Sequence, residues 1–168
     1  ILGIPNKNIK KVVSRFGGVS NRQQIIAKIN GVKYINDTTA TMPEAVIQAL
    51  RTITGEDSQS RIILIAGGQD KKLEYKELAK EITGKVEKLI LLPGTASEKI
   101  KKELFNMQPN FKVVFVESMP EAVKESSLGV KNKDIVLLSP AAASFNLFKN
   151  EFDRGEQFVK AVKKIKWE

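Results

Sequence analysis

Polar side chains that could hold a small anion follow several predicted strands of this sequence. They are Asp37 and Thr41 in NDTTATMPEA, Lys71 in GGQDKK and Ser144 in SPAAAS. An ammonium group neutralises a carboxylate or phosphate, hydroxyls donate hydrogen bonds to its oxygens, and a carboxylate accepts hydrogen bonds from a sugar. In open α/β sheets, ligands bind beyond the carboxyl ends of the strands. These residue types and positions therefore predict a pocket for a small dianion.

The segment after residues 32–36 has a structural as well as a functional interpretation. Thr41 with Glu44 has the spacing of a helix capping box, and Pro43 suits the first helical turn. The same helix start offers free backbone N–H groups and a positive dipole end to an anion. Taken alone, the pattern favours capping. Asp37 is expected to be exposed at the strand end, where it could bind a sugar or a cation.

Small residues dominate two other strand ends. Gly67–Gly68 permits a sharp turn or a close approach to a ligand, although any tight turn would use such a pair. The loop Ser139–Ser144 leaves room for a ligand against the backbone, or its alanines simply begin the last helix. Phe145, Phe148 and Phe152 are spaced as on one helix face and are expected to face the core. Phe145 is close enough to the loop to contact a ligand.

The composition restricts the available chemistry. The 168 residues include no cysteine and no histidine, which removes thiol nucleophiles, disulfides, histidine bases and the usual zinc ligands. The formal net charge is +9, from 28 Lys and Arg against 19 Asp and Glu. A solvated, lysine-rich surface is the simplest explanation of that charge. A nucleic-acid surface and anionic small substrates are the alternatives.

The sequence carries no membrane or export signal. Its apolar runs are too short to cross a bilayer, and the N-terminus ILGIPNKNIKK lacks the pattern of a signal peptide. We therefore expect a cytoplasmic protein with no membrane partner. The chain does not begin with methionine, which hints at an origin in a longer protein.

Strand and helix patterns alternate along most of the chain. Continuous apolar runs such as IILIA and IVLL are typical of parallel strands that are covered on both faces. Asn30-Gly31 is a strong hairpin signal between two extended runs. The sequence predicts a doubly wound, Rossmann-like α/β domain with a mostly parallel sheet and an antiparallel hairpin strand at one edge. The predicted strands are 32–36, 62–66, 88–92, 112–116 and 135–139, and the helices that follow them are 42–53, 74–83, 96–106, 119–127 and 147–165.

The first predicted helix stands apart from this alternation. Residues 6–16 place apolar side chains at helical spacing, and the Gly-Gly and VSNR stretch after them is typical of a linker. The helix could pack on the sheet or be the last helix of a preceding domain, and we favour the second interpretation. The predicted boundaries are 1–22 for the end of that domain with its linker and 23–168 for the α/β domain.

Three motifs, in this order and spacing, resemble the C-terminal domain of the Mur ligases. They are YINDTTATMPEA, LIAGGQDK and LLSPAAASFNLFKNEFDRGEQF. The last motif is long and specific, whereas the Gly-Gly motif would be weak by itself. The resemblance extends through essentially the whole chain, because GVSNR and the leading helix look like the join to the family's central domain. Within the family, the chain is most similar to the member that adds D-glutamate.

The resemblance implies an ADP-forming acid–amino-acid ligase of peptidoglycan synthesis. Such an enzyme uses ATP and Mg²⁺ to activate the carboxylate of UDP-N-acetylmuramoyl-L-alanine as an acyl phosphate, which the amine of D-glutamate attacks. In this family the C-terminal domain supplies the glutamate pocket and closes over a nucleotide held mainly by the central domain. The implied glutamate contacts are Thr41, Lys71, Ser144 and the backbone around Phe145, and the implied nucleotide contacts are Arg22 and Asp37.

The chain departs from the family pattern at several positions. Thr39 stands where the family often carries lysine, so that charge is missing, and Ala142 replaces a common cysteine. The aromatic residue that usually follows Asn150 is displaced to Phe152, which we leave out of the site. No G-x-x-x-x-G-K-[ST] motif occurs in the chain, so we expect the ATP phosphate cradle, the metal ligands and the catalytic groups to lie upstream and this fragment alone to be inactive.

Other classes of protein stay open as alternatives. A related amino-acid-adding ligase, such as a folylpolyglutamate synthase, would share the domain plan. A dinucleotide-binding redox domain is disfavoured because no G-x-G-x-x-G follows the first parallel strand. A basic nucleic-acid-binding module would bind DNA or RNA with a steep salt dependence, whereas the ligase interpretation predicts no nucleic-acid partner.

Overall fold

A six-stranded sheet runs through the computed structural model, which describes residues 3–56 and 60–165 of the chain. The strands are β1 (Gln24–Ile29), β2 (Val32–Asn36), β3 (Ile62–Gly67), β4 (Val86–Leu92), β5 (Val113–Phe115) and β6 (Ile135–Leu138). The helices are α1 (Asn6–Val13), α2 (Pro43–Glu56), α3 (Lys76–Lys85), α4 (Thr95–Met107), α5 (Met119–Ser127) and α6 (Glu151–Lys163). The strand order is β1-β2-β6-β3-β4-β5.

The predicted fold class is confirmed. Strands β2 to β6 pair in parallel, and β1 pairs antiparallel with β2 at the edge of the sheet. Asn30 and Gly31 connect β1 and β2 with φ values of 49° and 81°. Two consecutive positive φ values are typical of a type I′ turn, whose twist matches that of the flanking strands. The Asn-Gly pair therefore fixes the register of the hairpin.

Two apolar layers cover the sheet. The buried residues of α2, α3 and α4 pack on one face, and those of α5 and α6 pack on the other. Strand β3 contributes Ile62, Leu64 and Ala66 to the first layer and Ile63 and Ile65 to the second, because successive side chains of a strand point to opposite faces. This double burial explains why the apolar run is continuous rather than alternating.

The last helix differs from its prediction. It begins at Glu151 rather than 147, because the Asn150 side chain accepts a hydrogen bond from the N–H of Asp153 (2.9 Å) and caps it there. The expectation that three phenylalanines share a core-facing helical stripe is therefore wrong. Phe148 is buried, whereas Phe145 and Phe152 are 72% and 53% exposed.

Helix α1 contributes no buried residue to the fold. It ends at Val13, before the predicted limit, and its apolar side chains Ile9 and Val12 are exposed. The prediction that residues 1–22 end a preceding domain stays a prediction. None of the described helices combines the length and the apolarity that a bilayer crossing requires.

Candidate functional site

The crossover connections between the parallel strands bring segments that are distant in sequence together at one edge of the sheet. Strand β6 lies between β2 and β3, with Asn36 opposite Leu138 and Leu138 opposite Ile65. All three strands are parallel, so the segments that follow them leave the sheet side by side. We call these segments, 37–41, 67–71 and 139–144, the carboxyl edge. This is the edge at which open α/β sheets bind ligands.

The small-residue loop after β6 joins its two neighbours in the carboxyl edge. The N–H of Ala141 donates to the carbonyl of Ala40 (2.9 Å). Ala143 and Gln69 exchange a pair of backbone hydrogen bonds of 3.0 and 2.9 Å. A Cβ at Gly68, whose φ is +133°, would lie 2.4 Å from the Ala143 carbonyl oxygen. The glycine is therefore needed for the loop after β3 to approach the loop after β6 this closely.

Thr41 and Lys71 meet at the surface of the carboxyl edge. The Nζ of Lys71 donates a hydrogen bond to the Oγ1 of Thr41 (3.1 Å), and the lysine side chain is exposed. The predicted capping box is wrong. Helix α2 begins at Pro43, and within the described residues no hydrogen bond joins Thr41 to Glu44. The Thr41 hydroxyl instead lies beside a cation, as an anion-binding pair requires.

Ser144 and Phe145 lie side by side but differ in exposure. Ser144 is 2% exposed, and its carbonyl accepts hydrogen bonds from the N–H groups of Leu147 (3.2 Å) and Phe148 (3.0 Å). Its hydroxyl has no hydrogen-bond partner in the described part of the chain. Phe145 projects into solvent next to it. The backbone pairing of Gln69 with Ala143 sets Ser144 on the same edge as Lys71, while the binding roles of these residues stay predictions.

Asp37 is buried rather than exposed, which corrects the expectation from the sequence. It is 3% exposed, and its carboxylate accepts hydrogen bonds from Ser139 Oγ (2.7 Å) and the N–H of Gln23 (3.1 Å). The sequence suggested exposure because Gln23 and Ser139, which bond to the carboxylate, are distant from Asp37 along the chain. Burial raises the pKa of Asp37, although its two hydrogen bonds and the positive charge of Arg22 oppose that rise.

Asp37→Asn is expected to stabilise the folded chain at neutral pH. The folded-state pKa of Asp37 lies above its ordinary value of 3.8, so the folded state binds this proton more tightly than the unfolded state does. The wild-type chain therefore loses stability as the pH rises from about 4 through the folded pKa, and asparagine removes that loss. Urea denaturation at pH 4 and pH 7 should show an advantage of the variant that is larger at pH 7. A variant less stable than wild type at pH 7 would contradict this prediction.

A small cleft of about 220 Å³ opens beside this carboxylate, and its lining includes Arg22, Gln23, Asp37 and Thr39. Complete small-molecule pockets measure roughly 300–1,000 Å³, so the cleft fits part of a nucleotide rather than a whole one. In residues 3–56 and 60–165, no group of three or more acidic side chains is placed to hold a metal ion. The charge of Arg22 and the hydrogen-bonding groups of Asp37 and Thr39 therefore suit contact with a sugar or phosphate.

Asp70 supports the lysine loop, a role that the sequence analysis missed. Its carboxylate accepts hydrogen bonds from the N–H of Leu73 (3.1 Å), the hydroxyl of Tyr75 (3.0 Å) and the ammonium of Lys99 (2.5 Å). Burial alone would raise the pKa of Asp70, but these hydrogen bonds outweigh it and hold the pKa below its usual range. The negative charge next to Lys71 is thus already paired with Lys99. Nothing in the local sequence pattern distinguishes Asp70 from an ordinary turn residue.

Arg154 is the second residue that the sequence analysis missed. It is fully buried at the start of α6, and its guanidinium hydrogen-bonds to Thr38 and Ala142. A larger groove of about 420 Å³ lies between α5 and α6, but its lining contains none of the predicted site residues. The carboxyl edge is therefore the part of the fold where the candidate residues converge.

A protein-family model matches most of the chain. The model described as "Mur ligase, glutamate ligase domain" matches residues 21–142. UDP-N-acetylmuramoylalanine--D-glutamate ligase from Roseiflexus sp. (strain RS-1) is 42% identical over 161 residues, which is 95% of this chain and 34% of that protein. The protein of the same name from Thermoanaerobacter sp. (strain X514) is 38% identical over 164 residues, 98% of this chain and 35% of that protein. The chain thus spans about a third of the length of these relatives.

Solved structures share the fold at lower sequence identity. UDP-N-acetylmuramate-alanine ligase MurC from Thermotoga maritima superposes with a TM-score of 0.71 at 18% identity, over 98% of this chain and 35% of that chain. A bifunctional folylpolyglutamate synthase/dihydrofolate synthase from Yersinia pestis CO92 superposes with a TM-score of 0.62 at 11% identity, over 96% of this chain and 34% of that chain. At these identities, the likeness describes the fold alone.

Proposed function

The chain belongs to the Mur ligase family, whose glutamate ligase domain it matches, and from this premise we propose that it is the C-terminal, D-glutamate-binding domain of a peptidoglycan ligase. The relatives at 38% to 42% identity carry the name of the D-glutamate-adding enzyme. The observation that carries the proposal is the hydrogen bond between Lys71 and Thr41 on the edge that Ser144 shares. Those groups suit a ligand with two carboxylates.

The proposed reaction forms an amide and releases ADP and phosphate. ATP, with Mg²⁺, phosphorylates the carboxylate of UDP-N-acetylmuramoyl-L-alanine, and the amine of D-glutamate displaces phosphate from that acyl phosphate. The reaction takes place in the cytoplasm. The present chain contains no Walker A motif, so it contributes substrate positioning rather than the phosphate cradle.

The candidate glutamate contacts each have a defined role in this proposal. The ammonium of Lys71 neutralises the side-chain carboxylate of glutamate, and the Thr41 hydroxyl donates to the same group. The unpaired hydroxyl of Ser144 and the backbone at Phe145 hold the other carboxylate. Fixing both carboxylates directs the amine toward the acyl phosphate, and such positioning lowers the entropic part of the barrier.

Arg22 and Asp37 would serve the nucleotide when the domain closes. Arg22 is exposed and free to approach phosphate, while Asp37 borders the same cleft and could accept a hydrogen bond from a ribose hydroxyl. Because the cleft is too small for a whole nucleotide, a second domain must supply the remaining surface. Arg22 also lies in the proposed linker, so its position would change with domain closure.

ADP release by the full-length ligase tests the proposed function. With ATP, Mg²⁺ and UDP-N-acetylmuramoyl-L-alanine present, ADP should appear when D-glutamate is added. It should not appear with L-glutamate, L-lysine or diaminopimelate, nor with a folate and L-glutamate. The isolated 168-residue chain should release no ADP under the same conditions. Turnover with another amino acid, or by the isolated chain, would contradict the proposal.

A further inference from the structure

We propose that Arg154 is a positioning residue, whose guanidinium holds the loops of Thr41 and Ser144 at the spacing that the amino-acid substrate requires. The inference rests on the proposed function, since it adds to that site a residue that acts through others. Arg154 itself would contact neither glutamate nor nucleotide.

One side chain bonds to two loops of the carboxyl edge. Nε of Arg154 donates to Thr38 Oγ1 (3.0 Å), Nη2 to the Thr38 carbonyl (2.9 Å) and Nη1 to the Ala142 carbonyl (3.1 Å). Thr38 lies in the segment that leads to Thr41, and Ala142 lies in the loop that leads to Ser144. A planar fork of N–H donors can join such divergent acceptors, whereas a lysine ammonium cannot reproduce its geometry.

Thr38 is oriented to accept these bonds. Its hydroxyl donates to the carbonyl of Glu151 (2.8 Å), which turns a lone pair toward Arg154 Nε. The first turn of α6 lies close against Thr38, because a Cβ on Gly155 would come within 2.7 Å of Thr38 Cγ2. Helix α6 therefore acts as a support, and the hydrogen bonds of Arg154 hold both loops in a fixed position relative to this helix.

The cost of burying this charge argues against a purely stabilising role. Arg154 is 0% exposed, and no carboxylate in the described residues forms an ion pair with it. Burial lowers the pKa of Arg154 to about 10, and the negative charge of Glu151 only partly opposes that shift. An apolar side chain of similar volume would avoid this desolvation. The gain from arginine is therefore the fixed geometry of the two loops.

The nucleotide side of the site depends less on this arginine. Asp37 is held by Gln23 and Ser139, which are not bonded to the guanidinium. Loosening the Arg154 contacts should therefore disturb glutamate binding more than nucleotide binding. This difference separates a positioning role from a general loss of stability.

Steady-state kinetics of the full-length ligase provide the first test. Arg154→Lys and Thr38→Val should each raise the KM for D-glutamate on the order of tenfold, because a misplaced substrate contact weakens binding and alignment together. The KM for ATP should stay within about twofold of wild type. Thr38→Ser keeps the hydroxyl and the carbonyl and should behave as wild type. The double variant Arg154→Lys/Thr38→Val should be less impaired than the product of the single effects, because both lose the same bond.

Hydrogen exchange on the same variants provides the second test. The amides of Ala141 and Ala143, which bond to the neighbouring loops, should exchange about tenfold faster in Arg154→Lys, with β3 and β4 unchanged. A uniform acceleration, no acceleration, or equal rises in both KM values would overturn the inference. If wild-type ligase does not use D-glutamate, the proposed function is wrong. The exchange pattern then still decides whether Arg154 holds the loops, and without that local pattern the inference fails as well.

Discussion

Lys71→Met in the proposed full-length ligase is expected to raise the KM for D-glutamate by about 10- to 100-fold, while the KM for ATP stays near its wild-type value. A hydrogen bond to a charged group contributes about 1.5–3 kcal/mol, and each 1.4 kcal/mol is a factor of ten in affinity. Methionine retains an unbranched chain but has no charge and no donor. Since the lysine would contact the substrate carboxylate away from the reacting amine, the loss should fall mainly on KM rather than kcat. Steady-state kinetics, in which the concentrations of D-glutamate and ATP are varied separately, measure the two KM values.

Lys72→Met is the matched control for that prediction. Lys72 is exposed, lies one residue further along the same loop and carries the same charge, but among the described residues it forms no hydrogen bond with Thr41. Its removal should change the KM for D-glutamate by less than about twofold, and the small change should fade as salt screens it. Equal effects in the two variants would show that the net positive charge of the loop matters, and that the contact of Lys71 with Thr41 does not.

The elements of the fold were predictable because their signals are local. Continuous apolar runs such as IILIA indicate buried strands, and Asn30-Gly31 indicates a hairpin with a two-residue turn. The start of α6 was not predictable in the same way. The phenylalanine spacing continues the helical pattern upstream, but residues 141–150 remain in a loop that pairs with Gln69 and Ala40. Tertiary backbone contacts outweighed the local pattern there.

The candidate site was only partly predictable, because its geometry depends on strand order. The residue types at strand ends pointed to Thr41, Lys71 and Ser144 as candidates. The position of β6 between β2 and β3, however, cannot be predicted from any local sequence pattern. The carboxylate of Asp37 is covered by Ser139 and Gln23, and neither is close to it in sequence. Arg154 occupies a helix rich in charged residues, where an arginine is normally solvated. The structure alone shows that its partners are backbone carbonyls and a threonine.

Gly94→Ala is expected to destabilise the chain by about 3 kcal/mol or more, because the new methyl group would collide with another backbone. A Cβ at Gly94 would lie 2.1 Å from the carbonyl oxygen of Gly68, and the φ of +142° is one that alanine rarely adopts. The Gly68 backbone cannot retreat without cost, since its carbonyl accepts a hydrogen bond from Ala96 N–H (3.0 Å) and its N–H donates to Ser97 Oγ (3.2 Å). Urea denaturation of the chain measures the loss.

Gly129→Ala separates steric collision from backbone strain. Gly129 also has a positive φ (+76°), but a Cβ there would meet no atom within 4 Å beyond its chain neighbours, so alanine should cost only about 1 kcal/mol. Equal losses at the two glycines would contradict the collision argument. The Gly94 variant should also bind glutamate poorly in the full-length ligase, because Gly68 belongs to the loop that presents Lys71. Near-normal glutamate use by a folded Gly94→Ala ligase would mean that the lysine loop is not fixed by its packing against the start of α4.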